Sequence, residues 1–352
     1  MMENIIRKFG LLEESMQVLP LHQGLINKTW KVESGGNVYI LQKINNEVFR
    51  QPEAITHNIE QIADYLRETN PGYFFTAPVR ANDGRAMVYE EGMGYFRMFP
   101  FVQGSHTKDT VKTPEEAYEA AKQFGKFTAV LRNFDHARLR TTIPSFHDLG
   151  LRYRQFQEAL EHGNSERIRE SQSLIILLKQ HSGIVTEFEK IRQDPAFRLR
   201  VTHHDTKISN VLFDENDKGM CVIDLDTVMP GYFISDVGDM MRTYLCPVSE
   251  EEADLGKIEV RPDFYHAIVD GYQSEMSDAL STVEKQYFFY AGSFLIYMQA
   301  LRFMTDYLNN DIYYRSAYPG QNLVRTANQV RLLQCLLALQ PAASKAAGHV
   351  RV

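Results

Sequence analysis

His203-His204-Asp205-Thr206-Lys207-Ile208-Ser209-Asn210 decides how this chain is read. It is followed by Val211-Leu212-Phe213, an acidic turn at Asp214–Gly219, and the run Cys221-Val222-Ile223-Asp224-Leu225-Asp226. An aspartate and an asparagine five residues apart share one loop. The apolar run ending at Ile223 is expected to hairpin back along Val211–Phe213 and bring a third oxygen donor, Asp224, to that loop. Hard oxygen donors suit magnesium, which keeps phosphates and waters in its shell. Phosphoryl transfer asks little more: metal ligands, a carboxylate to take the acceptor's proton, and a cation to spread charge. On this reading Asp205 is the base, Lys207 the cation, and Asn210 and Asp224 the metal ligands. Asp226, two residues on, is the alternative ligand, expected on the same strand face. One Asp-to-Asn spacing alone would fit any solvated loop. The full set is a much rarer pattern.

Working outward, residues 1 to about 102 are strand-rich. Trp30–Glu33 and Val38–Leu41 flank Ser34-Gly35-Gly36-Asn37, a hairpin signal. Pro52 opens a helical pattern through Ile55, Ile59, Ile62 and Leu66, which Asn70-Pro71-Gly72 stops. Asn82-Asp83-Gly84 predicts a second hairpin, between Ala77–Ala81 and Arg85–Glu90, and Tyr95–Val102 a further strand. After residue 102 helices dominate. Thr113, Pro114 and Glu116 cap the first of them. Others are expected at about 148–162, 165–192, 263–275, 281–309 and 321–340. The expectation is an α+β chain of two lobes: 1–102, and a larger, mainly helical 103–352 carrying the loop described above.

The 352 residues are 44% hydrophobic and 24% charged, which excludes a disordered or fibrous chain. With a net charge of −7 and no basic block, nucleic acid is not an expected partner. Three cysteines cannot build a disulfide framework, which fits a reducing compartment. The first residues lack a signal-peptide core, and the apolar run Tyr287–Leu301 is too short to span a bilayer. A cytoplasmic protein without a membrane partner is expected.

The run H-H-D-T-K-I-S-N with I-D-L-D resembles the catalytic and metal-binding loops of the protein-kinase-like superfamily. It is closest to its aminoglycoside phosphotransferase and choline kinase branch, which usually has His-Gly-Asp where this chain has His204 at the middle place. Longer stretches resemble N-acetylhexosamine 1-kinases: Tyr39–Asn45, Asp224–Gly231, Ser235–Arg242, Leu301–Leu308 and Pro319–Arg325. The resemblance spans residues 20 to about 335. It implies the bilobal protein-kinase-like fold, with a small antiparallel-sheet lobe binding nucleotide, and ATP and Mg2+ as cofactors. It implies as partner a small-molecule hydroxyl acceptor, best guessed as a free amino sugar phosphorylated at its anomeric hydroxyl. Choline, ethanolamine, another sugar or an aminoglycoside are the alternative acceptors, and an inactive nucleotide-binding module is the alternative of a different class.

The resemblance also implies further site residues. Gly24, Asn27 and Thr29 would cover the phosphates. A strand lysine should grip them, but Gln42 falls at its place and Lys43 one residue on. Either a bulge turns Lys43 inward, with Glu60 as its helix partner, or Gln42 substitutes and the cation comes from elsewhere. Phe99 and Phe101 would flank adenine, whose edge the backbone reads. Asp236 and His203 would brace the catalytic loop. Arg302, Asp306, Tyr313 and Tyr314 would wall the acceptor pocket.

Overall fold

The computed structural model describes residues 2–11, 16–21, 26–314 and 316–339. The chain divides into two compact units: Met1–Thr107 with Val130–Pro144 and Val211–Pro230, and Lys108–Ala129 with Ser145–Asn210 and Gly231–Val352.

The first unit is built on an antiparallel sheet of β1 (Gln17–Leu21), β2 (Lys28–Ser34), β3 (Asn37–Lys43), β4 (Val88–Glu90) and β5 (Gly94–Pro100), in the order β1-β2-β3-β5-β4. Gly35 and Gly36 make the two-residue turn between β2 and β3, with φ of 58° and 73°. Positive φ at both central places matches the strand twist and favours glycine. One face of the sheet buries Val32, Leu41, Phe96 and Met98 against Ile5 and Ile6 of helix α1 (Met2–Lys8). Strand side chains alternate, so Thr29, Gln42 and Arg97 share the other face, with Ile40 and Phe99 beside them. Helix α2 (Pro52–Thr69) buries Ile55, Ile59, Ile62 and Leu66, the expected apolar stripe.

Asn58 of α2, fully buried, ties in the unit's other segments. Its amide nitrogen donates to the carbonyls of Arg140 (2.7 Å) and Val228 (2.9 Å), and its oxygen accepts the Arg140 N–H (2.8 Å). Val211–Phe213 pairs with Gly219–Val222 as the expected hairpin, Val211 opposite Val222.

Three points depart from the sequence reading here. The Asn82-Asp83-Gly84 turn forms, but residues 77–81 and 85–87 lie outside the sheet. Pro78 has no N–H to give a ladder, and Val79 makes a single bond to Met98 O (2.7 Å). Second, α1 and β1 have no counterpart in the sequence reading. Third, Asp224 and Asp226 share no strand face: the strand ends at Val222, Asp224 has φ 59°, and Leu225–Thr227 is a 3-10 turn.

The second unit is helical: α3 (Pro114–Val130), α4 (Leu149–His162), α5 (Ser165–Glu170), α6 (Gln172–Gln180), α7 (Gly183–Gln193), α8 (Phe233–Tyr244), α9 (Pro262–Met276), α10 (Phe288–Leu308) and α11 (Gln321–Ala338). The helix expected over 165–192 is three helices. Ser171 turns its hydroxyl onto Arg167 O (2.7 Å), and Ser182-Gly183 interrupts the next run. The apolar α10 lies at the centre, packed on α4, α7, α8 and α11. A Cβ on Gly238 of α8 would stand 2.4 Å from Ala291 O of α10, so glycine permits this close crossing. Among the described residues no helix is long and apolar enough to cross a membrane.

Candidate active site

In the second unit, α8 holds the loop 203–210 from one end. The Asp236 carboxylate accepts the N–H groups of His203 (3.1 Å) and His204 (2.7 Å), and its carbonyl accepts the Thr206 hydroxyl (2.8 Å). Asp239, one turn on, accepts the Thr206 N–H (2.7 Å), and the Tyr244 hydroxyl donates to Thr206 O (2.5 Å). His203 is fully buried, its ring edge-on to Phe124 and Phe127. Burial pushes the Asp236 carboxyl up to about 7, against the two N–H bonds that favour its charge. Burial also raises Asp239, opposed by the Arg242 guanidinium. Arg242 donates twice to Asp239 Oδ1 (3.1 and 3.0 Å) and once to Glu250 (2.9 Å).

His204 has φ 66°, in the left-handed region where glycine is at ease. Its ring is accommodated by a glycine elsewhere. A Cβ on Gly231 would stand 2.5 Å from His204 Nε2 and 2.4 Å from Thr202 Oγ1. The ring meets His147 edge-on, centroids 5.2 Å apart, and Phe146 at 6.4 Å.

Beyond His204 the loop presents Asp205, whose carboxylate lies 3.2 Å from Lys207 Nζ with both side chains partly exposed. Asn210 donates its amide N–H to Asp205 O (2.9 Å), which leaves its amide oxygen as the donor atom for a metal.

Phe146 also links the loop to Arg302, whose guanidinium carbon lies 5.7 Å from the Phe146 ring, 5.7 Å from Tyr313 and 5.3 Å from Tyr314. Asp306 is buried and occupied: it accepts the N–H groups of Tyr313 (2.7 Å) and Tyr314 (2.9 Å) and the Asn322 amide (3.1 Å). It fixes the aromatic pair and presents no free edge. Tyr313 is 67% exposed, so its ring is open to a ligand. His147 is held well below the usual imidazole range by burial, then by His204, Arg302, Arg242 and Arg152.

In the first unit, Asp224 is exposed and Asp226 is buried. Asp226 pairs with Arg97 and accepts the Asn27 amide (2.7 Å). Arg97 donates through Nε and Nη2 to Gln42 Oε1 (3.0 and 2.9 Å) and lies over the Phe99 ring. The β3–β5 register runs unshifted, so no bulge turns Lys43 to the Gln42 face; Lys43 stands opposite Phe96 with its Cε against Gly94. Glu60 pairs with Arg80 (2.9 Å) and not with Lys43. Lys31 lies over the Phe101 ring. Gly24 falls outside the described residues.

The family profile described as the phosphotransferase enzyme family matches residues 17–279. The chain belongs to this phosphotransferase family. The phosphotransferase is similar in structure to an aminoglycoside phosphotransferase from Alicyclobacillus acidocaldarius, with TM-score 0.64 and 15% identity over 97% of this chain and 96% of the other. It is similar to a microcompartment-associated aminopropanol kinase, TM-score 0.62 and 19% identity, over 97% of each chain. A choline kinase from Streptococcus pneumoniae matches at TM-score 0.54 and 12% identity, over 95% of this chain and 99% of that one. At such identities the similarity carries the fold: the phosphotransferase has the α+β protein-kinase-like fold, a small antiparallel sheet and a larger helical part.

Several residues around these candidate site residues escaped the sequence reading: in the second unit Asp239, Arg242 and Tyr244 behind the loop and Phe146 and His147 beside His204, and in the first unit Arg97. The i, i+3 spacing of Asp236 and Asp239 was a usable signal. Nothing local marks Phe146 or Arg97, whose partners lie far off in sequence. Among the described residues no three His, Cys, Asp or Glu side chains form a metal cage.

Proposed function

We propose that this phosphotransferase transfers the γ-phosphoryl group of ATP to the anomeric hydroxyl of an N-acetylhexosamine, giving the sugar 1-phosphate and ADP. Asp205 takes the hydroxyl proton. The freed oxygen bonds to the γ-phosphorus, the bond from that phosphorus to the β–γ bridging oxygen breaks, and ADP leaves with the electron pair. Lys207 spreads charge on the transferring group. Asn210, through its amide oxygen, and the exposed Asp224 would hold magnesium, which when bound neutralises phosphate charge. Asp226, already paired, is not its ligand. Asn27 and Thr29 belong to the phosphate-covering turn, and Phe99 and Phe101 to the adenine site. Lys43, on the other face of its strand, is left out of the phosphate grip. His203, Asp236 and Asp239 hold the loop in place.

The observation that carries the acceptor class is the Arg302 cluster. Phe146 meets the ring of His204, the residue next to Asp205, Arg302 lies over Phe146 and against Tyr313 and Tyr314, and the charged groups acting on His147 there are His204 and three guanidiniums, all basic. Glu250, which also acts on Tyr314, is tied to Arg242. Such a wall repels a cationic amine such as choline or an aminoglycoside. It suits a neutral sugar whose faces stack on tyrosine and whose acetamido oxygen accepts from arginine. The anomeric hydroxyl is more acidic than an ordinary alcohol, which suits a carboxylate base. A panel of acceptors scored by ADP release tests the reading. N-acetylglucosamine or N-acetylgalactosamine should be turned over, and glucose, choline, ethanolamine and kanamycin should not. Turnover of choline or kanamycin alone would reject it.

A further inference from the structure

We propose that Arg97 is a positioning residue for the turn that carries Asp224, acting through its buried pair with Asp226. The proposal rests on the reading of Asp224 as the ligand of a phosphate-bound metal.

The observations lie in one unit. Arg97 is 1% exposed and Asp226 2%. The guanidinium donates to Gln42 of β3 through Nε and Nη2, and the same Nη2 makes the ion pair with Asp226 Oδ1. The second carboxylate oxygen of Asp226 takes the Asn27 amide (2.7 Å), while Asn27 Oδ1 takes the Asn45 N–H (3.0 Å). Asp226 is thereby tied to β5, to the start of β2 and to the residues just after β3. It sits in the middle of the Leu225–Thr227 turn, and the residue entering that turn is Asp224, exposed and at φ 59°.

Stability alone is a poor reason for this pair. A buried ion pair loses hydration on both sides, and apolar replacements are often neutral or stabilising. Here the pair is also incompletely satisfied: it is a close ion pair without hydrogen-bond geometry, and neither Arg97 Nη1 nor Asp226 Oδ1 has a hydrogen-bond partner among the described residues. What the planar, always-charged fork does better than a lysine or an apolar side chain is fix direction. A non-glycine residue in the left-handed region persists where its surroundings over-determine it. The Arg97–Asp226 pair supplies that constraint one residue from Leu225, and so aims the exposed carboxylate of Asp224.

The test uses the full chain with R97M, D226N, R97M/D226N and D224A, reading urea stability, Mn2+–ADP affinity, metal-free ADP affinity and kcat. R97M alone leaves a buried carboxylate without its cation and should be the least stable. R97M/D226N removes both charges and should regain near wild-type stability. Its Mn2+–ADP affinity and kcat should stay at least tenfold down, with metal-free ADP binding within twofold. A double variant with wild-type stability and Mn2+–ADP affinity within twofold of wild type overturns the proposal. If the neutral variants do not fold, R97K decides, since it keeps the charge and loses the fork: affinity within twofold of wild type again overturns it. D224A separates the two claims. If D224A leaves Mn2+–ADP affinity intact, the metal reading itself has failed. If D224A loses it and R97M/D226N keeps it, only the role of Arg97 has failed.

Discussion

Asp205 is the residue on which the proposed chemistry turns, and its neighbours are arranged around its backbone more than its carboxylate. Asp236, Asp239 and Tyr244 hold the peptide groups on either side, and Asn210 holds its carbonyl. Asp205→Asn should therefore keep the fold and nucleotide affinity while losing about 10²–10⁴-fold in turnover, the usual share of a positioned base. Turnover within threefold of wild type would contradict the assignment. Lys207→Ala should lower kcat more than it raises either KM, since it removes an interaction made mainly in the transition state. A change confined to acceptor KM would move Lys207 to the sugar site. Asp236 gives a pH signature. Its folded-state pKa, about 7, lies above the ordinary 3.8, so the folded protein holds this proton more tightly than the unfolded chain. That contribution is full below pH 4 and is lost as pH rises towards 7. Urea midpoints of wild type should fall across this window relative to those of Asp236→Asn, and parallel curves would contradict the shift. The residues proposed to carry the chemistry could be picked out in sequence because their loop is local. Arg97, 55 residues from Gln42 and far from Asp226, was not, for its meaning depends on strand register.

At the scale of elements, long periodic segments were readable and short ones were not. The stripe of α2, the long apolar run of α10 and the Gly35-Gly36 turn announce themselves in the sequence. Strand Gln17–Leu21 and helix Met2–Lys8 are too short for periodicity to mark, and tertiary packing decides them. The break of 165–192 at Ser171 and at Ser182-Gly183 was written in residues that compete with helix, though apolar spacing carried on through them. The fit of His204 against Gly231 is a coupling between two elements and gives a measurable energy. Gly231→Ala should cost about 1–3 kcal/mol by overpacking against the ring. His204→Gly removes that ring and the strained φ, so the double variant should recover part of the loss. A double-mutant cycle in urea should show coupling above about 0.5 kcal/mol, and additivity within about 0.3 kcal/mol would contradict the contact.

For the whole molecule, local patterning suggested one change of character near residue 102. That segments 130–144 and 211–230 join the first unit depends on bonds such as those of Asn58, which span 82 and 170 residues. No periodicity reports contacts of that range. The protein-kinase-like fold hosts many acceptors, so the substrate has to be argued from the Arg302 cluster and not from the architecture. The phosphorus NMR spectrum of the product from ATP and N-acetylglucosamine or N-acetylgalactosamine tests the central claim most directly. The account predicts a new phosphomonoester signal coupled to the anomeric proton, and none from the Asp205→Asn enzyme. A signal coupled only to protons of another carbon, or no sugar phosphate while choline or kanamycin is phosphorylated, would contradict it.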